Sequence, residues 1–335
     1  MRAKILLPIF ALALSFPSFA QEASGPSKVP PIIDPKTQAT IAKGLRFLST
    51  NQLPGGAFGG NHHGSMAGVV GLCGLAFLAS GSTPYEGPYR TQVKKCTEYI
   101  LASQRSDGFY QGSPSESMYG HGFAAFYLTQ IYGITDDKRI AESITKAMNL
   151  MKVCQSTTGG WRYRPQKSDA DTSITVCQLT AIRAAADAGL VVPKGIRENA
   201  LKYLESCQNE NGTFTYTPGR GGHSTVALTA AGVISFYSTG VYDEKKFADG
   251  LKYVETNSPS PGGHQFYTLY YASQLMWSQG GKSWQEWYTK AKAMMSRNMV
   301  QEGVWDGGHG KAYSTAVALI VLQMPNNYLP TFYRY

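Results

Sequence analysis

The chain has 335 residues, 43% of them hydrophobic and 16% charged, with a formal net charge of +9. That composition is globular, which excludes a disordered or collagen-like chain. Its Lys and Arg are scattered, as at Lys94-Lys95 and Lys245-Lys246, with no basic block, so nucleic acid is not an expected partner.

Arg2 and Lys4 precede an apolar run from Ile5 to Leu14, and Ser18-Phe19-Ala20 fits a small-x-small cleavage site. Residues 1–20 read as a signal peptide, with an apolar run too short to cross a membrane. This predicts export, periplasmic or secreted, and a mature chain without a transmembrane span. Residues 21–36 carry Pro26, Pro30, Pro31 and Pro35 and read as a flexible linker. One domain is expected over 37–335.

Within that domain one pattern recurs. A Gln is followed by a glycine turn and an aromatic residue in Gln52–Phe58, Gln104–Phe109, Gln155–Trp161 and Gln208–Phe214, with a weaker copy in Gln301–Trp305. The four clear anchors are 52, 51 and 53 residues apart. A fixed period of this length means repeated supersecondary units that bury their core against one another. Each unit carries one helix with a polar stripe and one that is apolar or small on nearly every side, the marks of an outer and a buried helix. The buried helices are expected to begin at Ser65, Gly122, Thr172, Ser224, Gln265 and Tyr313. Six such pairs predict an all-α fold, a single α6/α6 toroid (barrel) of six helix-pair repeats. The fifth repeat is the poorest match, since Asn257–His264 replaces the Gln-turn-aromatic anchor. After Pro325 a short irregular tail is expected to lie over the toroid, anchored by Tyr328, Phe332 and Tyr333.

Five cysteines include Cys154 and Cys207 at one repeat position. Equivalent positions on packed helices lie about 8–10 Å apart, beyond disulfide reach, so these two read as buried and unbridged.

All six histidines, His62, His63, His121, His223, His264 and His309, fall at or just before an expected inner-helix start, and Asp169 and Asp171 hold that place in the third repeat. In a closed toroid the inner helices run parallel and gather their N-termini at one mouth. The sequence thus predicts a ring of His and Asp there, above a cavity lined by aromatics. Helix N-termini favour anionic groups. Simple N-capping is the competing reading for Asp171-Thr172-Ser173, His223-Ser224-Thr225 and Tyr313-Ser314-Thr315.

The Gln-turn-aromatic units resemble the prenyltransferase and squalene oxidase repeat, over 37–324. Asp169-Ala-Asp171-Thr172 is similar to the Asp-x-Asp-Asp-Thr motif of squalene–hopene cyclases, except that Thr172 stands where the second adjacent aspartate would be. The resemblance implies a terpenoid cyclase-like α/α toroid, and it gives Asp171 the role of the acid that protonates a polyene. Protein prenyltransferase β subunits are a second resemblance, matching the length of one toroid. By position their zinc ligands fall on Asp169, Asp171 and His223, with Asp171 in place of a Cys. No cofactor is expected, and zinc is the metal those three residues would permit.

Three function classes remain open. The first is a terpene cyclase-like or isoprenoid-handling enzyme that takes an apolar small molecule, with Asp171 as acid and Asp169 as the neighbour that keeps it protonated. The second is a carbohydrate-active toroid in which Asp169, Asp171 and the mouth histidines His63, His121, His223, His264 and His309 serve as acid and base and Trp161 and Tyr163 stack on sugars. The third is a non-catalytic binding or scaffold toroid. A closed apolar cavity would favour the first, an open polar one the second, and a filled barrel the third.

Overall fold

The computed structural model describes residues 33–332 apart from 61, 220–223, 241, 242 and 263. The expected signal peptide, nearly all of the linker, His223 and Tyr333 lie outside the described residues. Outer helices α1 (Pro35–Asn51), α3 (Arg90–Ala102), α5 (Lys138–Cys154), α7 (Ile196–Ser206), α9 (Glu244–Asn257) and α11 (Gly281–Arg297) alternate with inner helices α2 (Ala67–Leu78), α4 (Met118–Tyr132), α6 (Thr172–Asp187), α8 (Val226–Tyr237), α10 (Gln265–Gln279) and α12 (Gly310–Gln323). This is the expected all-α toroid of six helix pairs.

The sequence makes the two kinds of helix differ. Every residue of α2 is buried, whereas α5 buries one stripe, including Ile140, Ile144, Ala147, Met148 and Met151. The inner helices form a closed ring in which each touches the next and α12 returns to α2. Each later outer helix packs chiefly on the inner helix before it in the chain, and α1 takes the equivalent place on α12. Small residues set the closest approach: a Cβ on Gly68 of α2 would lie 2.3 Å from the Gly120 Cα of α4.

The Gln of the repeat is a tie between outer helices. The side-chain amide of Gln52 donates to Gly56 O and to Gln92 O in α3. Gln104 does the same to Gly108 O and Ser143 O in α5, and Gln155 to Gly159 O and Ile196 O in α7. The turn glycines adopt positive φ, +99° at Gly56, +95° at Gly108 and +103° at Gly159, a region where a side chain is strained. Each also presses on the next outer helix, so a Cβ on Gly159 would meet Asn199 O at 2.2 Å. In the fifth repeat the tie is made differently, by Trp287 Nε1 of α11 donating to the buried Ser258 Oγ at 3.0 Å. The sixth turn is a small hairpin, β1 (Met299–Gln301) with β2 (Val304–Trp305). Its Gly303 packs on Gly44 of α1, and Lys292 of α11 pairs with Asp34 at 2.8 Å, which fastens the last outer helix to the first.

Inner helices α2 and α8 begin two residues after the expected Ser65 and Ser224, α12 begins three before the expected Tyr313, and three further features differ from the sequence expectation. Helix α1 begins at Pro35, with Asp34 capping Thr37 N, because proline at the first helical position loses no hydrogen bond. The second anchor aromatic is Tyr110 rather than Phe109: Gln104 pairs with Tyr110, as Gln52 does with Phe58 and Gln208 with Phe214. Helix α4 begins at Met118, four residues before the expected Gly122.

The tail seals the C-terminal end of the inner ring. Phe332 is buried against Phe126 and Tyr270, with ring centroids 5.6 and 6.3 Å away, and its carbonyl accepts from Trp277 Nε1 at 3.0 Å. Asn326 Nδ2 donates to Ala79 O at 3.0 Å. Tyr328, expected as a packing anchor, is largely exposed and only brushes the site of Gly81. All five cysteines are buried and unbridged.

Candidate functional site

With the far end closed, the inner ring encloses a cavity of about 540 Å³ at its N-terminal end. Every inner helix contributes to its wall, for example Val69, Phe123, Ser173, Leu228, Tyr267 and Tyr313. The wall is mainly aliphatic and aromatic, adding Met66, Leu72, Tyr119, Tyr163, Tyr216 and Ala227. Rings of the wall meet edge to face, Tyr119 with Tyr267 at 6.1 Å, and Phe123 of the wall meets the buried Tyr270 behind it at 5.5 Å.

Of the residues singled out in the sequence, His63, His264, His309 and Tyr163 line this cavity. They come from four stretches of the chain. The His63 and His309 rings are 5.3 Å apart and near perpendicular, and His309 stands 5.2 Å from Tyr313. Burial, and then the neighbouring His264, push the His309 imidazole below its usual value.

His121 is not at the mouth. It is fully buried between Phe109 and Tyr110, and its Nδ1 accepts the Tyr110 N–H at 3.4 Å. The early start of α4 causes this, since it places His121 one turn inside the helix. Burial pushes its pKa down to about 4, so the ring is a neutral core residue. Trp161 is likewise buried, with Nε1 donating to Met151 O at 2.8 Å, and offers no face to a ligand. Trp305 makes the same bond to Met295 O at 2.8 Å, so this geometry belongs to the repeat.

Asp171 is the N-cap of α6 and is wholly buried. Its Oδ1 accepts from Ile174 N at 2.9 Å and from Ser173 Oγ at 2.5 Å. Oδ2 is buried without a hydrogen bond, and Arg162 Nε stands 3.8 Å away. Desolvation pushes the carboxyl above its ordinary value, against the Ser173 hydroxyl, the Ile174 N–H, the Tyr216 hydroxyl and the Arg162 charge. Asp171 itself does not line the cavity, but Ser173 does. The Tyr119 hydroxyl also bonds Ser173, and Tyr163 and Tyr216 hydroxyls meet at 2.8 Å. Asp169 is exposed and bonded to Arg162, so it is not the group that raises the Asp171 carboxyl; burial is. With Asp169 held by Arg162 and Asp171 by Ser173 and Ile174, the zinc set that the prenyltransferase resemblance would permit is not assembled by its described members, and among the described residues no three His, Cys, Asp or Glu side chains converge as metal ligands.

The sequence reading passed over Glu116. It lines the cavity just ahead of α4, and its Oε2 accepts Ala67 N at the start of α2 at 2.6 Å. Burial pushes its carboxyl up to about 7 despite bonds from the backbone at Ala67, Gly112, Ser117 and Gly68. The available signal was an acidic residue directly before an inner helix, visible only once α4 is started at Met118.

The profile of the prenyltransferase alpha-alpha toroid domain family matches residues 32–115 and 72–257. Drimenyl diphosphate synthase of Streptomyces showdoensis is 22% identical over 187 residues, 55% of this chain and 34% of that protein; the chain thus spans about a third of that relative's length. A type II terpene cyclase from Scytonema in complex with geranylgeranyl dihydroxybenzoate superposes with a TM-score of 0.60 at 12% identity, over 88% of this chain and 98% of that one. An α-1,6-mannanase from Salegentibacter gives a TM-score of 0.61 at 10% identity over 86% and 98%. Cellobiose 2-epimerase from Bacillus thermoamylovorans gives 0.64 at 11% over 87% and 98%. At such identities these structures share the fold, and they span both isoprenoid and sugar chemistry.

Proposed function

This chain belongs to the prenyltransferase alpha-alpha toroid domain family, and on that premise we propose that it is an enzyme that binds an isoprenoid or similarly apolar chain in the barrel cavity and protonates it from Asp171. The observation that carries this reading is the hydrogen bond of Ser173 Oγ to the buried Asp171, because Ser173 opens onto the apolar cavity. A carboxyl raised by desolvation retains a proton to give. In the protonated state Asp171 donates to Ser173 Oγ, and the hydroxyl proton of Ser173 passes to an alkene carbon held in the cavity. Asp171 is left as the carboxylate, which Ile174 N–H and Ser173 stabilise. The carbocation so formed would lie among Tyr119, Phe123, Tyr163, Tyr216 and Tyr267, whose faces attract positive charge.

A sugar substrate has less support. The wall is carried by Met66, Val69, Leu72, Phe123 and Leu228, and of the two expected stacking residues Trp161 is buried while Tyr163 alone lines the cavity. A purely structural toroid would be expected to fill its barrel with side chains. The proposed location is outside the cytoplasm, on the strength of residues 1–20.

The test is incubation with C10 to C20 isoprenoids in D₂O, with mass spectrometry of the products. Protonation by Asp171 should leave one deuterium in a cyclised or isomerised product. No product and no binding across the panel would overturn the proposal.

A further inference from the structure

The cavity wall carries a carboxyl. Among the described residues lining the wall there is no Lys or Arg, yet Glu116 is set into it with some care. Its Oε2 takes the Ala67 N–H at 2.6 Å. Space for the other oxygen exists only because position 120 is glycine: a Cβ there would lie 1.6 Å from Glu116 Oε1. Gly68 in turn allows α2 and α4 to close around the pair. A capping role explains part of this, since Met66 gives α2 no side-chain cap. A capping role does not require a carboxyl that lines the cavity opposite a wall of aromatic rings.

We propose that Glu116 is the cavity's cation-facing carboxylate, and that it takes the proton that ends the reaction Asp171 begins. The inference rests on the reading of the cavity as an isoprenoid-protonating site. In the closing step a C–H bond next to the cationic carbon breaks, its electron pair becomes the new C=C bond, and the proton goes to a Glu116 oxygen. Asp171 has given one proton and Glu116 has received one, so the substrate is isomerised with no atom gained or lost. Glu116 returns its proton to water at the mouth, and Asp171 is recharged from solvent. Burial, which pushes the carboxyl up to about 7, makes Glu116 a stronger base than an exposed carboxylate.

Other groups bear on the same charge. Facing this region are Tyr99 of α3, Tyr119 of α4, His63 ahead of α2, the N-cap His264 and Tyr267 of α10, and the N-cap His309 and Tyr313 of α12; the N-cap Asp171 of α6 lies behind Ser173. Burial pushes the tyrosines up, so they stay neutral. His309, held below its usual value by burial and by His264, loses positive charge as pH rises, which acts in the same direction as ionisation of Glu116, and a Glu116 variant separates the two.

The experiment compares a permanent cation with a neutral chain of equal length, decyltrimethylammonium and decanol, by calorimetry from pH 5.5 to 8.5. In the intact protein the ammonium should bind roughly tenfold more tightly than the alcohol above pH 7, with the preference fading as pH falls and Glu116 is protonated. Glu116→Gln keeps an oxygen for Ala67 N–H and should bind decanol unchanged while losing most of the ammonium preference. Equal preference in the variant, or none in the intact protein, would overturn the assignment. Failure of both chains to bind would overturn the apolar-cavity reading itself. If the variant does not fold, the intact protein still decides. At pH 7 ammonium binding should release about half a proton, read from buffers of different ionisation enthalpy, and no release refutes the role of Glu116.

Discussion

The Tyr110 N–H is bound by His121 Nδ1 at 3.4 Å, in the place where a threonine hydroxyl serves three other repeats. Trp161 N is taken by Thr175 Oγ1, Phe214 N by Thr229 Oγ1 and Trp305 N by Thr315 Oγ1, each at 3.1 Å. His121 is therefore a repeat residue in an unusual chemical form. Because burial lowers its pKa from 6.5 to about 4, the unfolded chain takes up the proton first as pH falls. Stability should decline between about pH 6.5 and 4, by roughly 3 kcal/mol if this residue acts alone. His121→Thr should retain the fold and flatten that decline in chemical denaturation measured at both pH values. An unchanged slope would show that His121 is not the group responsible.

The turn glycines give a second expectation. Gly159 and Gly189 both have positive φ, +103° and +79°, but a Cβ on Gly159 would collide with Asn199 O at 2.2 Å while one on Gly189 meets nothing within 4 Å. Gly189→Ala should cost only the backbone term, about 1 kcal/mol. Gly159→Ala adds overpacking between α5 and α7 and should cost roughly 2–4 kcal/mol. Melting curves of the two variants would check this, and equal losses would mean that the contact between outer helices is soft.

The architecture was legible because it is written in a long period and in helix-type contrast, both of which survive without knowledge of contacts. The site was only partly legible. His63, His264 and His309 are at the cavity because each still precedes its inner helix, α10 starting at Gln265 as expected and α2 and α12 within three residues of expectation. His121 is not, because Met118-Tyr119-Gly120 reads as loop while its backbone is already helical. A shift of four residues moves a side chain one turn down the barrel and from mouth to core. Glu116 was invisible for the same reason. The burial of Trp161 was foreseeable from its match to Trp305, but an aromatic beside Arg162 and Tyr163 invited a ligand role.

The tail should close the barrel from below. Phe332 contacts Phe126 and Tyr270 and holds Trp277 Nε1 through its carbonyl. Phe332→Ala should cost about 3–5 kcal/mol and leave a gap beneath the cavity. Binding of an environment-sensitive apolar dye would report it, with faster exchange of the dye in the variant. Unaltered exchange together with unaltered melting would mean that the seal lies elsewhere.

Asp171 decides between a cap and an acid. As the N-cap of α6 it could be replaced by Asn at little cost, since Asn caps about as well as Asp. The raised pKa of the buried carboxyl adds a sign. In the folded state the proton is held more tightly than in the unfolded chain, so the group's contribution is favourable at low pH and is lost as pH rises through the folded value. Asp171→Asn removes a desolvated carboxyl while keeping the cap, and melting should be unchanged or slightly raised. Loss of the transferable proton should lower turnover by about 10²–10⁴-fold, the usual scale of general acid catalysis. Ser173→Ala should fall in the same direction, because it cuts the link from Asp171 to the cavity wall. The measurement is deuterium incorporation from D₂O and a melting curve on the same samples. Normal incorporation by Asp171→Asn would leave Asp171 a cap and nothing more.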